Sequence, residues 1–159
     1  MLPNGIDVSQ YKCSSDKHFR QQFPHLAETR NILFMGRLNP IKGIDLLIDA
    51  FAFGVAQGIP HQLLIVGPDG GMESKLRQQV AAKGLQNRVH FLGPLFGEAK
   101  LSAFRSCEIF AHRPRFEGFG LTIVEAMASE KPVVTTRACK LDSAAEAGAL
   151  IMAEDTDIG

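Results

Sequence analysis

From Asn31 onward, short apolar runs bounded by Gly, Pro or Asn alternate with segments of helical period. Residues 32–36, 63–67, 89–93, 109–112 and 132–136 read as strands, and 149–152 as a sixth. Several of these runs are apolar without polar alternation, the pattern of parallel strands covered on both faces. Between them, Ile44, Leu47, Ile48 and Phe51 fall at i, i+3, i+4 and i+7 and give one buried helical stripe. Leu76 and Val80 do the same more weakly, with Gly84 standing where a helix C-terminal glycine would. Leu101 and Phe104 mark a third helix, and residues 120–128 are apolar nearly all round, which predicts the most buried helix. Strand–helix alternation of this kind implies right-handed crossovers. The fold it predicts is α/β: a Rossmann-like parallel sheet of about six strands with helices on both faces.

Residues 1–30 show no sustained period and read as a linker or N-terminal arm, with one short helix around 18–23. Residues 31–159 read as a single domain, truncated at its C-terminus, because 155–159 resemble the opening of a further element. Nothing repeats internally.

Charge and composition narrow the function. The 159 residues carry 17 Lys+Arg against 17 Asp+Glu and are 45% apolar, the balance of a soluble domain able to bury a core. Zero net charge without a basic run argues against nucleic acid as a partner. Three cysteines, Cys13, Cys107 and Cys139, are an odd set without close spacing and fit a reducing, cytoplasmic setting. No signal peptide opens the chain. The uncharged window 50–68 is broken by Gly54, Gly58 and Pro60 and holds Gln57, His61 and Gln62, so it reads as helix end, turn and strand rather than a membrane span.

Ligands of open parallel sheets bind at the carboxyl ends of the strands, so the loops there matter most. After the first strand, Arg37 and Lys42 are the only charges in a Gly- and Pro-bearing loop that leads into a helix. Two cations beside a helix N-terminus suit a phosphate or diphosphate, although two solvated surface cations would look the same. The loop is neither a Walker A sequence nor G-x-G-x-x-G. The second feature runs from Arg113 to Ala128. Between Gly118 and Ser129 its sole charge is Glu125, on an otherwise apolar helix. A buried carboxylate needs a donor, and a ligand hydroxyl or a neighbouring loop would serve. Glu117 precedes the helix, where it either caps the helix or faces a ligand. Gly118 and Gly120 leave the helix amides open to close approach. About 7.5 Å of helix rise separates Gly120 from Glu125, so both carboxylates could flank one small molecule. His112 reads as structural and Cys139 as unreactive. The five His residues are scattered without ligand spacing, so no metal site is expected.

Glu117 and Glu125, with seven residues between them, in Glu-Gly-Phe-Gly and Glu-Ala-Met-Ala, resemble the E-x7-E motif of retaining family 4 glycosyltransferases. Gly36-Arg37-Leu38 followed by Lys42-Gly43 resembles that family's donor-diphosphate loop, residues 64–67, 91–93 and 131–134 its strand ends, and residues 3–7 the entry into its second domain. The resemblance implies the two-domain GT-B fold, of which this chain would be the C-terminal, donor-binding half. The donor would be a nucleotide diphosphate sugar, used in making a polysaccharide or glycoconjugate. The acceptor would be held by an N-terminal domain, and any peripheral membrane association, at the inner face, would come through that half. Arg37 and Lys42 would bind the diphosphate and stabilise it as a leaving group. Glu117 with the Gly118, Phe119 and Gly120 segment would address sugar hydroxyls, Leu121 and Thr122 would sit beside the nucleotide and diphosphate, and Glu125 would bind the ribose. No cofactor or metal is implied. The chain departs from the family at His112-Arg113-Pro114-Arg115 in place of Pro-Ser, at Glu130 in place of Gly, and at Ala138-Cys139-Lys140 in place of Gly-Gly. Nucleotide-sugar 2-epimerases or hydrolases share the architecture, and a non-catalytic nucleotide-sugar-binding module is the third reading.

Overall fold

A computed structural model describes residues 6–12 and 14–153. Six parallel strands, β1 (Asn31–Met35), β2 (Gln62–Val66), β3 (Val89–Gly93), β4 (Ile109–Ala111), β5 (Val133–Thr136) and β6 (Ile151–Ala153), form one sheet. Their order is β3-β2-β1-β4-β5-β6, with helices as the connections. The helices are α1 (Val8–Lys12), α2 (Lys17–Gln22), α3 (Ile44–Ala56), α4 (Glu73–Ala82), α5 (Gly97–Ser106), α6 (Leu121–Ala128) and α7 (Asp142–Glu146). The Rossmann-like α/β architecture is the one the sequence pattern predicts. Strand ends differ from it by one or two residues, as fraying ends do.

Alternate residues of the central strands feed two cores, one on each face of the sheet. Leu33, Met35, Leu64 and Val66 join α5 and α6 on one face. Phe34, Leu63 and Ile65 join α3 and α4 on the other. This is why the strands read as unbroken apolar runs. The α3 stripe is as expected: Ile44, Leu47, Ile48 and Phe51 are all buried.

Over its described residues, the segment expected as a linker or arm belongs to the first core. Tyr11, Phe19 and Leu26 are buried there, α1 lies on α6 and α2 on α5. The helices of this segment span five and six residues, too short to display a helical period. Residues 3–5, Cys13 and residues 155–159, each singled out in the sequence, lie outside the described residues. No helix among the described residues is long and apolar enough to cross a membrane.

Candidate functional site

The strand order reverses direction between β1 and β4: the chain leaves β1 for β2 on one side and β4 for β5 on the other. The helices that follow these two strands, α3 and α6, therefore lie on opposite faces of the sheet, and the crevice at the carboxyl edge between them is where ligands of such sheets bind. The loop after β1 carries Arg37 and Lys42, and the loop after β4 carries His112 to Gly120.

The two loops are locked together. Asn39 caps a 3-10 turn at Pro40–Lys42 by accepting from the Lys42 amide at 3.2 Å, and Gly43 follows at φ 60. A Cβ at residue 43 would lie 2.0 Å from the Arg113 carbonyl oxygen, so only glycine fits. Arg115 completes the lock. Its amide donates to the Ile41 carbonyl at 2.8 Å, and its guanidinium to the Pro40 carbonyl at 2.9 Å and to both oxygens of Asp45 at 2.7 and 2.6 Å.

At the centre of the crevice Lys42 Nζ lies 2.7 Å and His112 Nε2 2.9 Å from one oxygen of Glu117, Oε2. His112 is 1% exposed. Its ring is stacked on Phe34, with centroids 5.5 Å apart, and near Phe110 at 6.3 Å. The His112 and Lys42 bonds hold the Glu117 carboxyl well below the usual carboxylate range, outweighing its burial. Burial is also what chiefly raises the Cys139 thiol, which contacts Thr135 Oγ1 at 2.9 Å.

Glu125 is 3% exposed, on the second turn of α6. Its Oε1 accepts from Tyr11 at 2.8 Å and from Lys100 at 2.5 Å. Burial, then the carboxylate, raises the Tyr11 hydroxyl well above its ordinary value. Among the described residues the other oxygen, Oε2, is buried without a hydrogen-bond partner, as are His61 Nδ1, and His112 Nδ1 and Thr136 Oγ1 at the ends of neighbouring strands.

The remaining candidates frame this centre. Gly120, at φ 68, opens α6 with no side-chain cap, which leaves the first-turn amides of Leu121 and Thr122 free for an anion. Gly118 and Phe119 are exposed and Thr122 half-buried. Arg37 is exposed and, among the described residues, has no ion pair; its stem lies beside Gly70 rather than with Lys42. The structure thus unites Lys42, Glu117 and the α6 N-terminus, sets Glu125 in its own buried cluster, and leaves Arg37 at the rim. The sequence pattern does not mark Tyr11 or Lys100, and marks Arg115 only as a departure from the family, because their partners are 114, 25 and 70 residues away. No group of three or more His, Cys, Asp or Glu among the described residues could hold a metal ion.

Residues 15–156 match the family described as glycosyl transferases group 1. The chain belongs to that family. It is 35% identical to the mannosylfructose-phosphate synthase of Agrobacterium fabrum, over 86% of this chain and 32% of that protein. It is likewise 35% identical to the phosphatidyl-myo-inositol mannosyltransferase of Mycolicibacterium smegmatis, over 98% and 39%. The chain thus spans about a third to two-fifths of the length of these curated relatives. HepE of Anabaena, solved in complex with UDP-glucose, superposes with a TM-score of 0.74 at 35% identity, over 87% of this chain and 39% of that one. The C-terminal domain of the group 1 glycosyl transferase LpcC from Francisella tularensis shares the fold, with a TM-score of 0.77 at 24% identity, over 93% of this chain and 80% of that one.

Proposed function

We propose that this chain is the donor-binding half of a retaining glycosyltransferase, taking a nucleotide diphosphate sugar. The observation that carries the reading is the constellation of Lys42, Glu117 and the uncapped α6 N-terminus at the topological switch point. In this reading Lys42, with Arg37 swinging in from the rim and the Leu121 and Thr122 amides, receives the diphosphate. When the bond from the anomeric carbon to the diphosphate breaks, the electron pair leaves with the diphosphate, and these donors stabilise the added charge. Glu117 with Gly118, Phe119 and Gly120 addresses the sugar, and the unpartnered Oε2 of Glu125 accepts from a ribose hydroxyl. The charge is carried by cationic side chains and amides, so the reaction needs neither metal nor cofactor. The acceptor is held by a separate N-terminal domain of the parent enzyme, and the reducing cytoplasm is the setting. The UDP-glucose complex of HepE makes UDP the first nucleotide to test.

Calorimetric titration with UDP, GDP and ADP tests the reading. One of them binds in the micromolar-to-millimolar range, about −8 to −4 kcal/mol. Arg37→Ala and Lys42→Ala each weaken it about tenfold, the loss of one charge-assisted hydrogen bond. Sugar transfer by the chain alone stays undetectable, since nothing positions an acceptor. Absence of binding to all three nucleotides overturns the reading.

A further inference from the structure

Lys42 already has an anion within the chain. Its ammonium lies 2.7 Å from Glu117 Oε2, with the two side chains 25% and 10% exposed. A diphosphate at the loop after β1 competes for the same ammonium. The three ammonium donors would allow sharing, but sharing sets a diphosphate against a carboxylate around one atom, where like charges repel strongly. The diphosphate therefore displaces Glu117 from Lys42. Left with only the Gly120 amide, Glu117 would be a nearly buried carboxylate without a cation or a side-chain donor, which is costly. His112 removes that cost. Its Nε2 lies 2.9 Å from the same oxygen, and its ring is packed against Phe34 and Phe110 and buried, so it does not follow Lys42 out.

We propose that Lys42 and Glu117 pair with each other until a donor binds, that donor binding is an exchange of Lys42 from Glu117 to the diphosphate, and that His112 is the positioning residue that retains Glu117 through the exchange. The inference rests on the donor-site reading above and goes beyond it in the resting ion pair and in the role of His112. One consequence is counter-intuitive. Removing the Glu117 charge, at the heart of the site, improves binding of a nucleoside diphosphate that lacks the sugar.

The test is calorimetry on this chain with UDP and UDP-glucose, or with GDP and GDP-mannose or ADP and ADP-glucose if the wild type binds those instead. Glu117→Gln keeps the shape of the side chain and is expected to bind the bare diphosphate about three- to tenfold tighter, the worth of a partly screened ion pair. In a Lys42→Met background the same substitution gives no gain. His112→Phe keeps the aromatic stack and loses the donor, and the extra affinity of the sugar nucleotide over the bare diphosphate falls several-fold. His112→Gln, which retains an N–H donor, restores part of it. Circular dichroism on each variant verifies that the fold is intact. The exchange is overturned if Glu117→Gln binds the diphosphate no tighter, or if its gain persists beside Lys42→Met. The role of His112 is overturned if His112→Phe leaves the ratio of sugar nucleotide to diphosphate unchanged. Failure of the wild type to bind any nucleotide of the panel removes the donor-site reading itself, whereas normal wild-type binding with these variant results removes the exchange alone.

Discussion

The Arg115 guanidinium forks onto the Asp45 carboxylate, Nη1 at 2.7 Å from Oδ1 and Nη2 at 2.6 Å from Oδ2, and so ties the loop after β4 to the first turn of α3. The pair is partly solvated, with side chains 44% and 26% exposed. Its contribution to stability is accordingly small, about 1 kcal/mol or less. Arg115→Ala is expected to lower Tm by no more than about 4 °C, while weakening UDP several-fold because Lys42 and Glu117 are no longer held in register. Thermal melts beside calorimetry separate the two effects; unchanged affinity would show that the lock is structural only.

Tyr11 joins the N-terminal segment to the buried carboxylate of Glu125. Tyr11→Phe removes a charge-assisted hydrogen bond, with an expected loss of about 1.5–3 kcal/mol in urea denaturation at constant m. Glu125→Gln retains an acceptor for Tyr11 and should leave the fold intact, while nucleotide affinity drops about tenfold. Equal affinity in wild type and Glu125→Gln would remove Glu125 from the binding site.

Glu130 sits two residues past α6 at φ 57, the left-handed position that glycine fills at helix ends. Its ion pair with Lys12 is long, 3.8 Å, and exposed, so little is lost with the side chain. Glu130→Gly should stabilise the chain by about 0.5–1 kcal/mol, raising Tm by about 2–4 °C. A lower Tm would contradict this.

Acid should destabilise the domain through two carboxyls. His112 and Lys42 depress Glu117, and Arg115 depresses Asp45. Their folded-state values lie below the unfolded ones, near about 4, so the folded chain binds fewer protons. The stability they contribute is complete above that value and is lost as pH falls below it towards the folded values. Melts between pH 7 and 3 should show a shallower acid limb for Glu117→Gln than for the wild type. Identical limbs would mean that Glu117 does not couple to folding.

The sheet was legible because its strands are buried on both faces and α3 repeats over 13 residues, so pattern alone defines them. Glu125 was legible as buried because a single charge interrupts an apolar helix. Its partners were not, since the contacts with Tyr11 and Lys100 are made by folding and have no fixed spacing. His112 was read as structural, yet the crevice gives it Glu117 as a partner, a role visible only once β1 and β4 lie side by side. The N-terminal segment looked like an arm because Tyr11, Phe19 and Leu26 enter the core singly, from separate short turns.

Gly43 leaves no room for even a methyl group before the Arg113 carbonyl. Main chain meets main chain there, so the span of the crevice on that side is set by peptide units, which vary little among substitutions in either loop. Mutations can change what lines the crevice without altering its width. Selection among ligands of different size accordingly falls to the free rim, where Phe116, Phe119 and Leu121 stand exposed and can be enlarged or trimmed without forcing the backbones apart.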